Sequence, residues 1–131
     1  MSWKSPENIL YTKTDEWILI DEQTATIGIT DYAQDQLSDI VYVELPTIGD
    51  NFKAKDIFAT VESVKAAADV NIPVDGLITE VNNSIEDEPE LINSDPYEQA
   101  WFVKIDISNQ EQTKNLMNAT EYIEYCKSRS S

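Results

Sequence analysis

The sequence predicts a mostly β fold of antiparallel strands, with one short internal helix and a C-terminal helix packed outside. Three observations predict it. Apolar residues recur at every second position in most segments, turn residues separate those segments at short intervals, and helical spacing with capping signals occurs in only two places. At 131 residues, 41% hydrophobic and 26% charged, the chain is about one domain long and able to bury a core without disulfide or metal staples.

Along the chain, Trp17 to Ile20 is apolar throughout, and Asp21-Glu22-Gln23 turns it back. TATIGIT sets Ala25, Ile27 and Ile29 on one face against Thr24, Thr26 and Gly28, so the two segments form a hairpin. Thr30 is an N-cap for DYAQDQLSD. Asp31 there complements the helix dipole, and Tyr32, Ala33 and Leu37 give the apolar face. DIVYVEL turns Val41, Val43 and Leu45 inward and stops at Pro46 and Gly49. IFATVES and DVNIPV are two further strands joined at VKAAA. Asp75-Gly76 is the strongest hairpin-turn signal, and LITEV is the strand after it.

EDEPELINSDPYEQA interrupts the alternation with acids and prolines and reads as a loop with one helical turn. WFVKIDI restores a strand, with Trp101, Val103, Ile105 and Ile107 on one face. Ser108 with Glu111, and Asn118 with Glu121, are spaced as capping boxes, and Leu116, Ala119, Ile123 and Cys126 fall at helical spacing. The expectation is a single domain over 1–131, with a core over about 11–107, a helical segment over about 108–128 and a fraying SRSS end.

Composition excludes several classes of function. The formal net charge of −16, from 25 acids against 9 bases, argues against nucleic acid, whose phosphates need clustered Lys and Arg, and against an anionic membrane surface. No run approaches the length of a membrane span. With no histidine and one cysteine, Ser-His-Asp and Cys-His nucleophile arrangements and the usual Cys/His zinc spacings are absent. Glu86, Asp87, Glu88 and Glu90 are hard oxygen donors without EF-hand spacing, so no metal site is assigned. Cys126 reads as a small core residue. A monomer in the cytoplasm is the simplest expectation, the alternative being an organellar matrix after removal of a transit peptide.

VESVKAAADV sets Lys65 among small and apolar neighbours, between two apolar strands. A lysine at a hairpin tip is ordinarily a solvated charge. Here Val64 and Ala66 to Ala68 leave the ammonium without bulky cover, and the flanking strands hold the tip in a fixed place. That combination suits covalent attachment of a carrier arm, because a tether converts a second encounter into an intramolecular one.

YTKTDEW, ATIGITDYAQDQLSDIVYVELPTIGD, VESVKAAADVNIPVDG, EVN and PELINSDPYEQAWFVKI resemble, in order and spacing, the glycine cleavage H-protein family, from about Tyr11 to the C-terminal helix. The resemblance implies a biotinyl/lipoyl-type barrel-sandwich hybrid of antiparallel sheets, with lipoate on Lys65. It implies a carrier with no catalytic residue of its own, shuttling the aminomethyl group of glycine. The partners it implies are a pyridoxal-phosphate glycine decarboxylase, a tetrahydrofolate-dependent aminomethyltransferase, dihydrolipoyl dehydrogenase, and a lipoate ligase or lipoyl transferase. By the same match Thr14, Glu16 and Asp69 line a pocket for the loaded arm, and Glu62 serves recognition by the lipoylating enzyme.

Three places depart from the family pattern. Asp15 and Tyr32 stand where histidine is common, and Gln99-Ala100 precede Trp101 where glycine is common. A lipoyl-relay role, donating lipoate to 2-oxoacid dehydrogenase subunits, is the rival reading. A biotin carrier is disfavoured because Val64 and Ala66 stand where that group has methionines.

Overall fold

The structure, a computed structural model, describes residues 3–130. Among these residues nine strands form two antiparallel sheets. The larger contains β1 (Leu10–Tyr11), β2 (Glu16–Asp21), β3 (Thr24–Ile29), β9 (Val103–Ile107), β8 (Gly76–Val81) and β5 (Asn51–Phe52), in that spatial order. The smaller contains β4 (Ile40–Glu44), β6 (Ile57–Ser63) and β7 (Ala67–Asn71). Their inner faces share one core, in which Ile27, Ile78 and Ile105 of the large sheet meet Val43, Val61 and Val70 of the small one. This is the sandwich of antiparallel sheets that the sequence predicts.

The β2–β3 hairpin follows its alternation. Ala25, Ile27 and Ile29 are buried, and Glu22 at the turn has a left-handed φ of 60°. Trp17 pairs with Gly28, and the indole lies flat over the glycine: a Cβ there would sit 2.7 Å from Trp17 Nε1. Thr30 caps α1 (Asp31–Leu37) by accepting from Ala33 N at 3.1 Å.

Val41 is exposed, against expectation. Ile40 pairs with Ser63 and Tyr42 with Glu62, so β4 uses one residue more than β6, and this β-bulge turns Val41 and Tyr42 outward while Ile40 and Val43 go in. Asp75-Gly76 is likewise not a hairpin turn. β7 ends at Asn71, β8 belongs to the other sheet, and the dipeptide makes the corner between them. The Asp75 carboxylate accepts from Ala54 N (2.7 Å) and Gln112 Nε2 (3.0 Å). Gly76 is needed for close approach to β9, since a Cβ would meet Ile105 Cδ1 at 2.7 Å and Asp106 O at 3.0 Å.

The acidic loop holds two short helices, α2 (Ser84–Asp87) and α3 (Leu91–Ser94), in place of one turn, because Ile85 and Ile92 each anchor a turn in the core. Asn109, not Ser108, caps the following 3₁₀ segment Gln110–Asn115, its side chain accepting from Glu111 N. The Asn118–Glu121 capping box forms with both bonds at 2.9 Å and opens α4 (Ala119–Ser130). The buried face of α4 is Ala119, Tyr122 and Cys126, with Ile123 half-buried beside it. Ala119, Tyr122 and Cys126 meet Tyr11, Trp17 and Tyr32 in a second, aromatic cluster, where Tyr11 and Tyr122 stack at 4.5 Å. The expected fraying is not seen through Ser130, because Arg129 is ion-paired to Asp15 at 2.7 Å; Ser131 lies outside the described residues.

Candidate functional site

Lys65 stands exposed at the tip of the β6–β7 hairpin. The tip is short: Glu62 pairs with Ala67, and Ser63 N donates to Ala66 O at 2.7 Å, leaving Val64 and Lys65 as the central pair. Neither has a positive φ. The Ser63 hydroxyl stabilises the turn from within, accepting from Lys65 N (3.3 Å) and Ala66 N (3.0 Å). The tip is also tied to its neighbours. Val64 N donates to Asp39 O at 3.0 Å, and Asn93 of α3 fixes that segment by accepting from Ile40 N and donating to Ser38 O. A flexible side chain thus leaves a backbone held from within by Ser63 and from outside by Asp39.

Away from the tip, an open groove of about 780 Å³ lies between three pieces of chain. Thr12, Thr14 and Glu16 form one wall, Lys55 and Asn71 another, and Leu116 and Met117 close it. A reciprocal backbone bridge between Tyr11 and Met117, at 2.8 and 2.9 Å, holds the first wall to the last.

Glu16 is the chemically distinctive residue of the groove, a carboxylate with only 1% of its surface exposed. Thr12 and Thr14 hydroxyls each donate to its Oε1 at 2.6 Å, and Asn71 N donates to its Oε2 at 3.1 Å. Burial pushes Glu16 up from 4.5 to about 7, while the Thr12, Thr14 and Asn71 bonds favour the ionised form and the nearby Asp15 charge opposes it. An ionised carboxylate has about four acceptor positions, so three donors leave Glu16 capacity for one more.

The sequence-assigned residues therefore fall in three places. Thr14 and Glu16 come together at the groove. Asp69 lies on β7 outside the groove lining, exposed and paired in register with Thr60. It shares the outward face with Asn71 and Ala67, because Val70 between them points into the core. Four residue steps at about 3.4 Å put Ala67 roughly 14 Å from Asn71, so Asp69 sits midway between the tip and the groove. Glu62 is exposed on β6, cross-strand from Tyr42 on one side and Ala67 on the other. Thr12 and Asn71 were not singled out by sequence. Thr12 was legible in the alternation Thr12-Lys13-Thr14-Asp15-Glu16, whereas Asn71 contributes a backbone N–H and has no side-chain signature.

Two sheets, a rigidly held lysine on a hairpin tip and a groove with a buried carboxylate define a carrier-arm protein. Residues 9–129 match the family model described as glycine cleavage H-protein. The glycine cleavage system H protein of Halothermothrix orenii is 48% identical over 120 residues, 92% of this chain and 94% of that protein. That of Thermotoga maritima is 48% identical over 116 residues, 88% of this chain and 94% of that protein. A crystal structure of a glycine cleavage system H protein from Mycobacterium marinum superposes with a TM-score of 0.83 at 30% identity, covering 96% of this chain and 99% of that one. The chain belongs to the glycine cleavage H-protein family, whose role is that of lipoyl carrier in the glycine cleavage system.

Proposed function

We propose that Lys65 is the residue that carries lipoate, in amide linkage, and that through it the chain moves the aminomethyl group of glycine from glycine decarboxylase to the aminomethyltransferase. Lipoate would supply the disulfide that takes up the group and is afterwards restored by dihydrolipoyl dehydrogenase. The protein supplies position, and no residue of its own is assigned a catalytic step. The observation that carries this reading is the tip itself: a solvated lysine on a turn bonded internally through Ser63 and externally through Asp39. Such a tip lets a modifying enzyme approach the amine while the backbone stays fixed.

In this reading the outward face of β7 is the track from the tip to the groove, with Asp69 along it and Glu16 at its end. The remaining acceptor position of Glu16 takes the amine of the loaded arm, and Thr14 keeps the carboxylate turned toward it. Burial of that ion pair away from water slows hydrolysis of the carried group. Glu62, on the face beside the tip, is assigned to recognition by the lipoate ligase or lipoyl transferase. We place the protein, as a monomeric single-domain carrier, in the cytoplasm, in keeping with its bacterial relatives. Among the described residues no helix is long and apolar enough to cross a membrane.

Incubation with lipoate, ATP and a lipoate ligase, followed by intact mass and peptide mapping, tests the attachment. A lipoyl-sized gain mapped to Lys65, absent in Lys65→Arg, is expected. An unmodified Lys65, with a ligase active on another acceptor, would withdraw the assignment.

A further inference from the structure

The turn that carries the groove carboxylate is shared between two parts of the molecule. Thr12, Lys13, Thr14 and Glu16 line the groove. Asp15, which is not part of that lining, and the Lys13 carbonyl are held by α4. Tyr125 OH donates to Lys13 O at 2.8 Å, Tyr122 OH donates to Asp15 Oδ1 at 2.8 Å, and Arg129 grips Asp15 with Nη2 on Oδ1 (2.7 Å) and Nη1 on Oδ2 (3.0 Å). Arg129 is fixed in turn, its guanidinium lying 4.2 Å from the Tyr32 ring centre and 3.9 Å from that of Tyr125. Asp15 has a φ of 73°, in the left-handed region that aspartate reaches more readily than most L-residues, and its backbone N–H donates to Thr12 O while its carbonyl accepts from Thr30 N.

We infer that Arg129 is a positioning residue for the groove: by holding Asp15, the last helix fixes the Thr12–Glu16 turn and so the aim of the Glu16 carboxylate. A bidentate guanidinium–carboxylate pair defines a plane as well as a distance, which an aromatic contact between α4 and β1 does not. The two cation–π contacts keep that plane from rotating. Release of Arg129 leaves Asp15 with the Tyr122 hydroxyl and its backbone bonds to Thr12 O and from Thr30 N, a looser hold that lets the turn, and the neighbouring Glu16 with it, shift. In the carrier, on the proposed function above, this makes α4 part of the arm site although the helix lies on the outer side of the turn.

The test is amide hydrogen exchange on the full chain without lipoate, comparing wild type, Arg129→Ala and Arg129→Lys. Glu16 N donates to Thr12 Oγ1 and Asn71 N to Glu16 Oε2, so both amides report the carboxylate's setting. Arg129→Ala is expected to speed exchange at these two roughly tenfold, leaving Ile27 and Ile105 in the centre of the large sheet unchanged. Arg129→Lys, which keeps the charge but loses the fork, is expected to fall between. Uniform acceleration across all four amides, or none at Glu16 and Asn71, would overturn the inference. Lipoylation of Lys65, followed separately by mass, distinguishes failure of this inference from failure of the carrier assignment.

Discussion

Replacement of Glu16 by glutamine should change the slope of stability against pH more than its level. In the folded chain burial raises this carboxyl from 4.5 to about 7. Between those values the unfolded chain has released the proton and the folded chain still holds it, so stability falls as pH rises through that window. The difference, taken at about 1.4 kcal/mol per pH unit, amounts to roughly 3 kcal/mol, most of which is lost between pH 5 and pH 8. Glutamine does not titrate, so Glu16→Gln removes this component. The substitution also sets an amide NH₂ where Oε1 or Oε2 accepted a donor, and that conflict costs about 1–3 kcal/mol at every pH. Urea unfolding of both proteins at intervals from pH 5 to 8 separates the two effects. Wild type should lose roughly 2–3 kcal/mol more than the variant over that range, whatever the offset. Parallel curves would refute the reasoning, because they would mean that Glu16 ionises in the folded protein as it does in the unfolded one.

Other substitutions test the supports of the site. Gly28→Ala places a methyl group 2.7 Å from Trp17 Nε1, and urea denaturation should show a loss of about 1–3 kcal/mol from displacement of the indole. Asn118→Ala removes one half of the capping box of α4; a loss of about 1 kcal/mol with reduced helical circular dichroism is expected, and an unchanged midpoint would contradict it. Ser63→Ala removes the hydroxyl that accepts from Lys65 N and Ala66 N. It should slow ligase-catalysed lipoylation of Lys65 while costing only about 1 kcal/mol of stability.

What the sequence disclosed was local, and what it concealed depends on partners distant in the chain. The period-two pattern of β3 was legible because Ala25, Ile27 and Ile29 need only one buried face. Val41 misled because its direction is set by register against β6, where Ile40 pairs with Ser63 and Tyr42 with Glu62. Asp75-Gly76 is a hairpin dipeptide by local rules, yet the close approach of Ile105 and Asp106 makes it a corner between sheets. Lys65 could be singled out because its small neighbours are adjacent in sequence. Glu16 was reached through the family resemblance, and its burial and its bond from Asn71 N, 55 residues away, exist only in the fold. Arg129 stood in a tail expected to fray, since nothing near it in sequence foretells a partner 114 residues distant.

The central claim is that this chain receives the aminomethyl group of glycine on an arm at Lys65. The direct measurement supplies the lipoylated protein with purified glycine decarboxylase and glycine labelled at the methylene carbon, then follows label in the intact protein by mass and maps it by peptide digestion. The account predicts label on the Lys65 peptide, lost in Lys65→Arg and discharged when the aminomethyltransferase and tetrahydrofolate are added. A lipoylated Lys65 that takes up no label, with the decarboxylase active on another H protein, would contradict it. Movement of lipoate from Lys65 onto a 2-oxoacid dehydrogenase subunit by a lipoyl transferase, in that same unlabelled protein, would put the relay role in its place.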